Sequence, residues 1–110
     1  MKKMKKTLKR KWIAALRSGE FKQAKHKLFN EGGYCCLGVL AVQLGATLDT
    51  FGVLRMTTGQ QVGMPGAEYL RNGCDGGLHV DIQQHLSRIN DGFEGYYSFN
   101  EIANWIEENL

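Results

Sequence analysis

With 110 residues, 43% of them hydrophobic and 23% charged, the chain has the profile of one soluble domain, long enough for a single core and too short for two. Its net charge of +3 is a sum of opposites: residues 1–27 carry eleven Lys or Arg against one acid, Glu20, a balance of +10, whereas residues 28–110 carry three basic and ten acidic residues, a balance of −7. The apolar run at 12–16 is too short for a secretory signal, no segment reaches the roughly 20 apolar residues that span a bilayer, and three cysteines, Cys35 and Cys36 adjacent and Cys74 distant, point to reduced thiols in a cytoplasm.

Over residues 5–17, Leu8, Trp12, Ala15 and Leu16 recur at helical spacing on one face with Lys and Arg on the other. Ser18-Gly19 then supplies a helix stop, and residues 1–5, which lack an apolar anchor, are predicted to fray. Residues 25–29 and 34–36 flank Asn30-Glu31-Gly32-Gly33, the pattern of a short hairpin with a glycine-containing turn. The pattern leaves the pairing partner open. Residues 36–44 are nearly all apolar or small and are ended by Gly45; a helix apolar all round belongs at the centre of the domain.

Residues 46–77 are rich in Gly and Thr and hold the single proline, Pro65. A weak alternation at Phe51, Val53, Leu54 and Met56 suggests a strand, and the remainder reads as loop. A helix follows from Asp81 through Ile89 with the stripe Ile82, Leu86 and Ile89, stopped by Asn90-Asp91-Gly92. In the last segment Ser98 and Glu101 form a capping box, Tyr97 and Ile102 stand at staple positions, and Phe99, Ile102, Ala103, Ile106 and Leu110 form a buried stripe. The expected architecture is a single α+β domain over residues 1–110, predominantly helical, with about four helices and a short β-hairpin or small antiparallel sheet.

No motif names a reaction. Cys35 and Cys36 precede the apolar helix, where a helix dipole stabilises a thiolate, and with His79 and Asn90 or Asp91 downstream they follow the order of papain-like hydrolases. The competing reading is two small side chains packed at the start of a core helix. The spacing of Cys35, Cys36, Cys74 and His26 does not suit zinc, and the glycines at 73, 76 and 77 lack the Gly-Lys-Ser/Thr end of a phosphate loop. A better set is Arg17, Gln23, Lys25 and Lys27, with Tyr34 across the hairpin and Asn90 and Asp91 downstream. Arginine offers a planar fork for phosphate and tyrosine a face for a base, whereas the plain alternative is surface charge around a turn. The Lys-rich start is also a candidate arm for phosphates; the five acids and absence of Lys or Arg in the last 20 residues suggest instead that the first helix is partly neutralised by the last.

Three blocks, residues 11–23 (KWIAALRSGEFKQ), residues 34–41 (YCCLGVLA), and Asn90-Asp91-Gly92 leading to residues 98–103 (SFNEIA), together resemble a family of small uncharacterised proteins of bacteriophages and prophages. The resemblance covers about half the chain and departs from the family in the glycine-rich stretch 59–77 and in the insertion 93–97. It implies a protein made in the host cytoplasm during infection and directed at host defence or host machinery. The expectation is then a non-enzymatic protein that binds or sequesters a small anionic ligand, such as a nucleotide immune signal, as a homo-oligomer, with no cofactor and no membrane association. Two alternatives stand beside it: binding of a host protein or nucleic acid through the basic first helix, and a cysteine hydrolase.

Overall fold

A computed structural model describes residues 6–25, 29–55, 80–92 and 97–110. Along these the elements are α1 (Lys6–Arg17), β1 (Phe29–Asn30), β2 (Gly33–Tyr34), α2 (Cys36–Gln43), β3 (Thr47–Leu48), β4 (Leu54–Arg55), α3 (Val80–Asp91) and α4 (Phe99–Asn109). Helices dominate, with two small antiparallel two-stranded sheets beside them, so the α+β expectation holds. The expected fraying of residues 1–5 and the expectations for Met56, the 59–77 stretch and, apart from Tyr97, the 93–97 insertion lie outside the described residues.

The core is built around α2. Cys36, Leu37, Val39, Leu40 and Ala41 have no exposed surface, as an all-apolar helix requires if it is to be covered on every side. Against it α1 buries Leu8, Trp12 and Leu16, α3 buries Leu86 and Ile89, and α4 buries Phe99, Ile102, Ala103 and Ile106 with Leu110 just beyond. Trp12 is fixed in this setting by its indole N–H, which donates to the Cys36 carbonyl at 2.9 Å in the buried interior, so the largest core side chain also satisfies its one polar group. The most extensive helix pair is α1 on α4.

The element ends follow local chemistry. Ser98 caps α4 with its side chain on the Glu101 N–H while the Glu101 carboxylate returns to the Ser98 N–H, a complete capping box. Gly19 and Gly92 take positive φ, 79° and 88°, just past α1 and α3, where a left-handed residue closes a helix. The first hairpin turns at Glu31-Gly32, both with positive φ (49° and 83°), the sign pattern of a two-residue type I′ turn. It pairs Phe29 with Tyr34 and Asn30 with Gly33.

Tyr34 also bridges, in parallel, to Gln23. The Ala24 N–H donates to the Tyr34 carbonyl at 2.8 Å and the Tyr34 N–H to the Lys22 carbonyl at 2.7 Å. This second partner for β2 answers the pairing question that the sequence leaves open. It also explains Gly33: a Cβ there would stand 2.9 Å from the Ala24 Cβ and 3.0 Å from the Lys22 carbonyl oxygen, so the two backbones approach too closely for a side chain. The strand expected around residues 51–56 is shorter than the alternation suggests. β4 holds Leu54 and Arg55 and pairs with β3, while Phe51 belongs to the intervening turn and stands 88% exposed. That turn is held by Asp49, whose carboxylate accepts from the Phe51 and Val53 N–H groups and from Arg55 Nε at 2.7 Å; the Arg55 contact is the main cause that lowers the Asp49 pKa below its ordinary value.

Candidate anion-binding face

The residues expected to meet a ligand divide between two places. Asn90, at the end of α3, is fully buried, and its side chain is a junction. Its Oδ1 accepts from Gln23 Nε2 at 3.0 Å and from the Cys36 N–H at 3.2 Å, while its Nδ2 donates to the Ala24 carbonyl at 2.8 Å and to Asp91 Oδ1 at 3.0 Å. Gln23 Nε2 donates further to the Tyr97 carbonyl at 2.8 Å. Gln23, Asn90 and Asp91 are thus brought together, but their polar atoms tie the 22–24 segment, the start of α2, the end of α3 and the approach to α4 to one another. The Tyr34 ring is half-buried and packs edge-on against Phe21 and Phe29, with centroids 5.2 and 5.0 Å away. It is the hinge of an aromatic cluster rather than an open stacking surface.

Lys25 lies on the same side: its carbonyl accepts from Asn30 Nδ2 at 3.4 Å, and its ammonium lies 3.8 Å from where a Cβ on Gly92 would be. Lys27 and His79 fall outside the described residues.

Arg17 is turned to α4 instead. Its guanidinium donates to Asn104 Oδ1 and pairs with the Glu107 carboxylate, both at 2.7 Å. Lys9, two turns earlier on α1, donates to the Glu107 backbone carbonyl at 3.1 Å, at the helix end where unsatisfied carbonyls and the dipole favour a cation. The expected neutralisation of the first helix by the last is therefore present.

It is incomplete. Lys6, Lys9, Arg10 and Arg17 line an open groove of about 480 Å³, with Ile13 and Ala14 between them and Glu107 the one acid among the described residues. Positions 6, 10, 13 and 17 are spaced by three or four residues and share a helix face, so the buried stripe of Leu8, Trp12 and Leu16 leaves these cations outward. Lys6 and Arg10 make no hydrogen bond or ion pair among the described residues. The basic start is legible in the sequence, but the selection of Lys6, Lys9 and Arg10 comes only from knowing which face the core takes. Four cations around a shallow apolar strip can hold phosphates by charge and by the bidentate geometry of two guanidinium groups.

The cysteines behave as core. Both are buried and free, and burial pushes the Cys35 thiol up to about 11 and the Cys36 thiol well above its usual range. Cys35 Sγ accepts from the Gly38 N–H at 3.4 Å as the cap of α2, and Cys36 Sγ donates to the Leu86 carbonyl at 3.6 Å. Desolvation thus outweighs the help that a helix N-terminus gives a thiolate. Among the described residues no three His, Cys, Asp or Glu side chains are grouped to hold a metal, and no helix is long and apolar enough to cross a membrane.

Residues 4–46 match the family model of a domain of unknown function, DUF8296. The similarity spans α1, the first hairpin and α2, and so includes the four groove cations and both buried cysteines but neither Asn90 nor Glu107. No curated protein and no solved structure matches the chain.

Proposed function

We propose that the protein is a non-enzymatic binding module whose α1 face takes a phosphate-bearing polyanion, nucleic acid in the first place. The observation that carries this reading is the outward row of Lys6, Lys9, Arg10 and Arg17 around one groove. Eleven helical residues separate the first cation from the last, about 16 Å along the axis, a length suited to several successive phosphates. Among the described residues the groove lining holds no aromatic ring, which favours contact with phosphates over recognition of a base. The buried, neutral thiols favour binding over cysteine chemistry.

A second reading, a small nucleotide of the immune-signal kind that the phage resemblance implies, is favoured by the groove volume of about 480 Å³, which falls within the range of small-ligand clefts. Pairing of α1 with α4 within one chain meets part of the charge asymmetry through Arg17–Glu107 and Lys9 and leaves the expected homo-oligomer a separate proposal, tested by light scattering at micromolar concentration.

Fluorescence anisotropy with a labelled 20-nucleotide oligothymidylate tests the proposal. Binding is expected at low salt and to weaken steeply as salt rises, because each neutralised phosphate releases counterions. The Lys6→Glu/Arg10→Glu variant is expected to lose at least about tenfold in affinity by reversal of two charges at the site. Unchanged binding by that variant, or no binding by the parent at 50 mM salt, overturns the proposal. Displacement of the oligonucleotide by micromolar mononucleotide selects the second reading.

A further inference from the structure

One carboxylate stands among the four cations of the α1 groove, and it is placed on the residue that a ligand would most need. Arg17 has the planar fork suited to a phosphate, yet one arm of that fork, Nη2, already donates to both Glu107 and Asn104 at 2.7 Å each. Both ends of the Arg17–Glu107 pair are open to water, 40% and 59% exposed, so the pair is easily exchanged.

We infer that Glu107 is an internal stand-in for the ligand's anionic group: it holds Arg17 in place and yields it only to a ligand already anchored at Lys6 and Arg10. This rests on the α1 face being the binding site. The consequence is a selectivity filter by charge and reach. A lone carboxylate or a single phosphate has to compete with a tethered carboxylate whose effective concentration at Arg17 is high, and it gains nothing by displacing it. A chain of phosphates bound at Lys6 and Arg10 presents its next phosphate to Arg17 as a tethered competitor too, and the contest is then even. Glu107 thus sets how many charges a ligand must carry before the whole groove is used. Glu108, the next residue, is exposed and does not line the groove, so it supplies the control for charge alone.

The test uses the full chain, the labelled oligothymidylate and four variants: Glu107→Gln, Arg17→Ala, the two combined, and Glu108→Gln. Glu107→Gln is expected to tighten binding about three- to tenfold at 100 mM salt and to steepen the log–log salt dependence by about 0.7, the increment for one more single-strand phosphate contact. Glu108→Gln is expected to change affinity less than twofold. Arg17→Ala is expected to cost at least threefold more in the Glu107→Gln background than in the parent, because there the guanidinium keeps only neutral partners, which a phosphate displaces more readily than a carboxylate. Equal tightening by Glu107→Gln and Glu108→Gln, or a Glu107→Gln gain that survives removal of Arg17, overturns the inference while leaving the α1 face intact. Failure of the parent to bind at 50 mM salt overturns the α1 face itself, and the filter with it.

Discussion

Asn90 uses its whole hydrogen-bonding capacity inside the protein: two bonds accepted at Oδ1 and two donated from Nδ2, which is all that a primary amide has. An aspartate would accept at both positions but donate at neither, and a leucine of similar size would do neither. Replacing Asn90 by Leu leaves the buried Cys36 N–H and the half-buried Ala24 carbonyl without their partner, a buried orphan costing roughly 1–3 kcal/mol and the half-buried one less. The expected loss of unfolding free energy is about 3 kcal/mol or more, a large share of the 5–15 kcal/mol typical of a domain. Gln23→Ala removes two hydrogen bonds from a half-buried position, those to Asn90 Oδ1 and the Tyr97 carbonyl, and leaves Asn90 Oδ1 with the Cys36 N–H, so its expected cost is about 1–2 kcal/mol. Urea unfolding of both variants measures the two losses, and an Asn90→Leu cost below that of Gln23→Ala contradicts the account of Asn90 as the junction.

At the scale of elements, the helices were the legible part and the strands were not. The helical stripes of α1, α3 and α4 and the capping box at Ser98 are local patterns within one or two turns, so the sequence carries them directly. In the sequence Asn90 reads as a stop signal and a candidate ligand contact. Its role as a junction depends on residues near 23, 36 and 97 meeting in space, and no spacing rule encodes that. The same holds for β2, whose turn was visible at Glu31-Gly32 but whose second partner, Gln23, sits on the far side of the hairpin. Among site residues, the basic character of the first helix was plain, whereas separating its groove-facing cations from the others required the position of the core. The bridge to Gln23 makes its own prediction. A methyl at Gly33 meets Ala24 Cβ at 2.9 Å and the Lys22 carbonyl at 3.0 Å, and the carbonyl, being backbone, cannot rotate away. Gly33→Ala is expected to push the 22–24 segment off β2 at a cost of about 1–3 kcal/mol, the usual range for overpacking. Hydrogen exchange is the direct readout: the Ala24 and Tyr34 amides lose protection together, and a variant in which both stay protected refutes the close-approach explanation.

At the scale of the molecule the described residues share one core with charge segregated over its surface, and these two aspects contribute differently to stability. The exposed Arg17–Glu107 pair contributes about 0–1 kcal/mol and less at high salt, so the charge segregation is not what keeps the chain folded. Burial around α2 is, and the two cysteines report on it. In the native state burial holds the Cys35 thiol at about 11, up from 9.0, and holds Cys36 higher than normal as well; in the unfolded chain both thiols return to their ordinary range. Below about pH 9 neither state is ionised and the full stability is present. As pH rises through 9 towards 11 the unfolded chain releases thiol protons that the native core retains, so the native state binds more protons and stability must fall with pH. For Cys35 the two-unit difference corresponds to about 2–3 kcal/mol by the top of that window. Lysines titrate in the same range, and the comparison that isolates the thiols is with Cys35→Ala/Cys36→Ala. That variant is less stable at pH 7 because it leaves space in the core, and the gap between it and the parent is expected to narrow steadily from pH 9 to 11. Iodoacetamide supplies an independent check at neutral pH: peptides containing Cys35 and Cys36 are expected to remain unlabelled in the native protein and to label together as urea crosses the unfolding transition. A gap that stays constant with pH, or labelling of either residue before the helices melt, places the thiols nearer the surface and restores the cysteine chemistry that burial otherwise rules against.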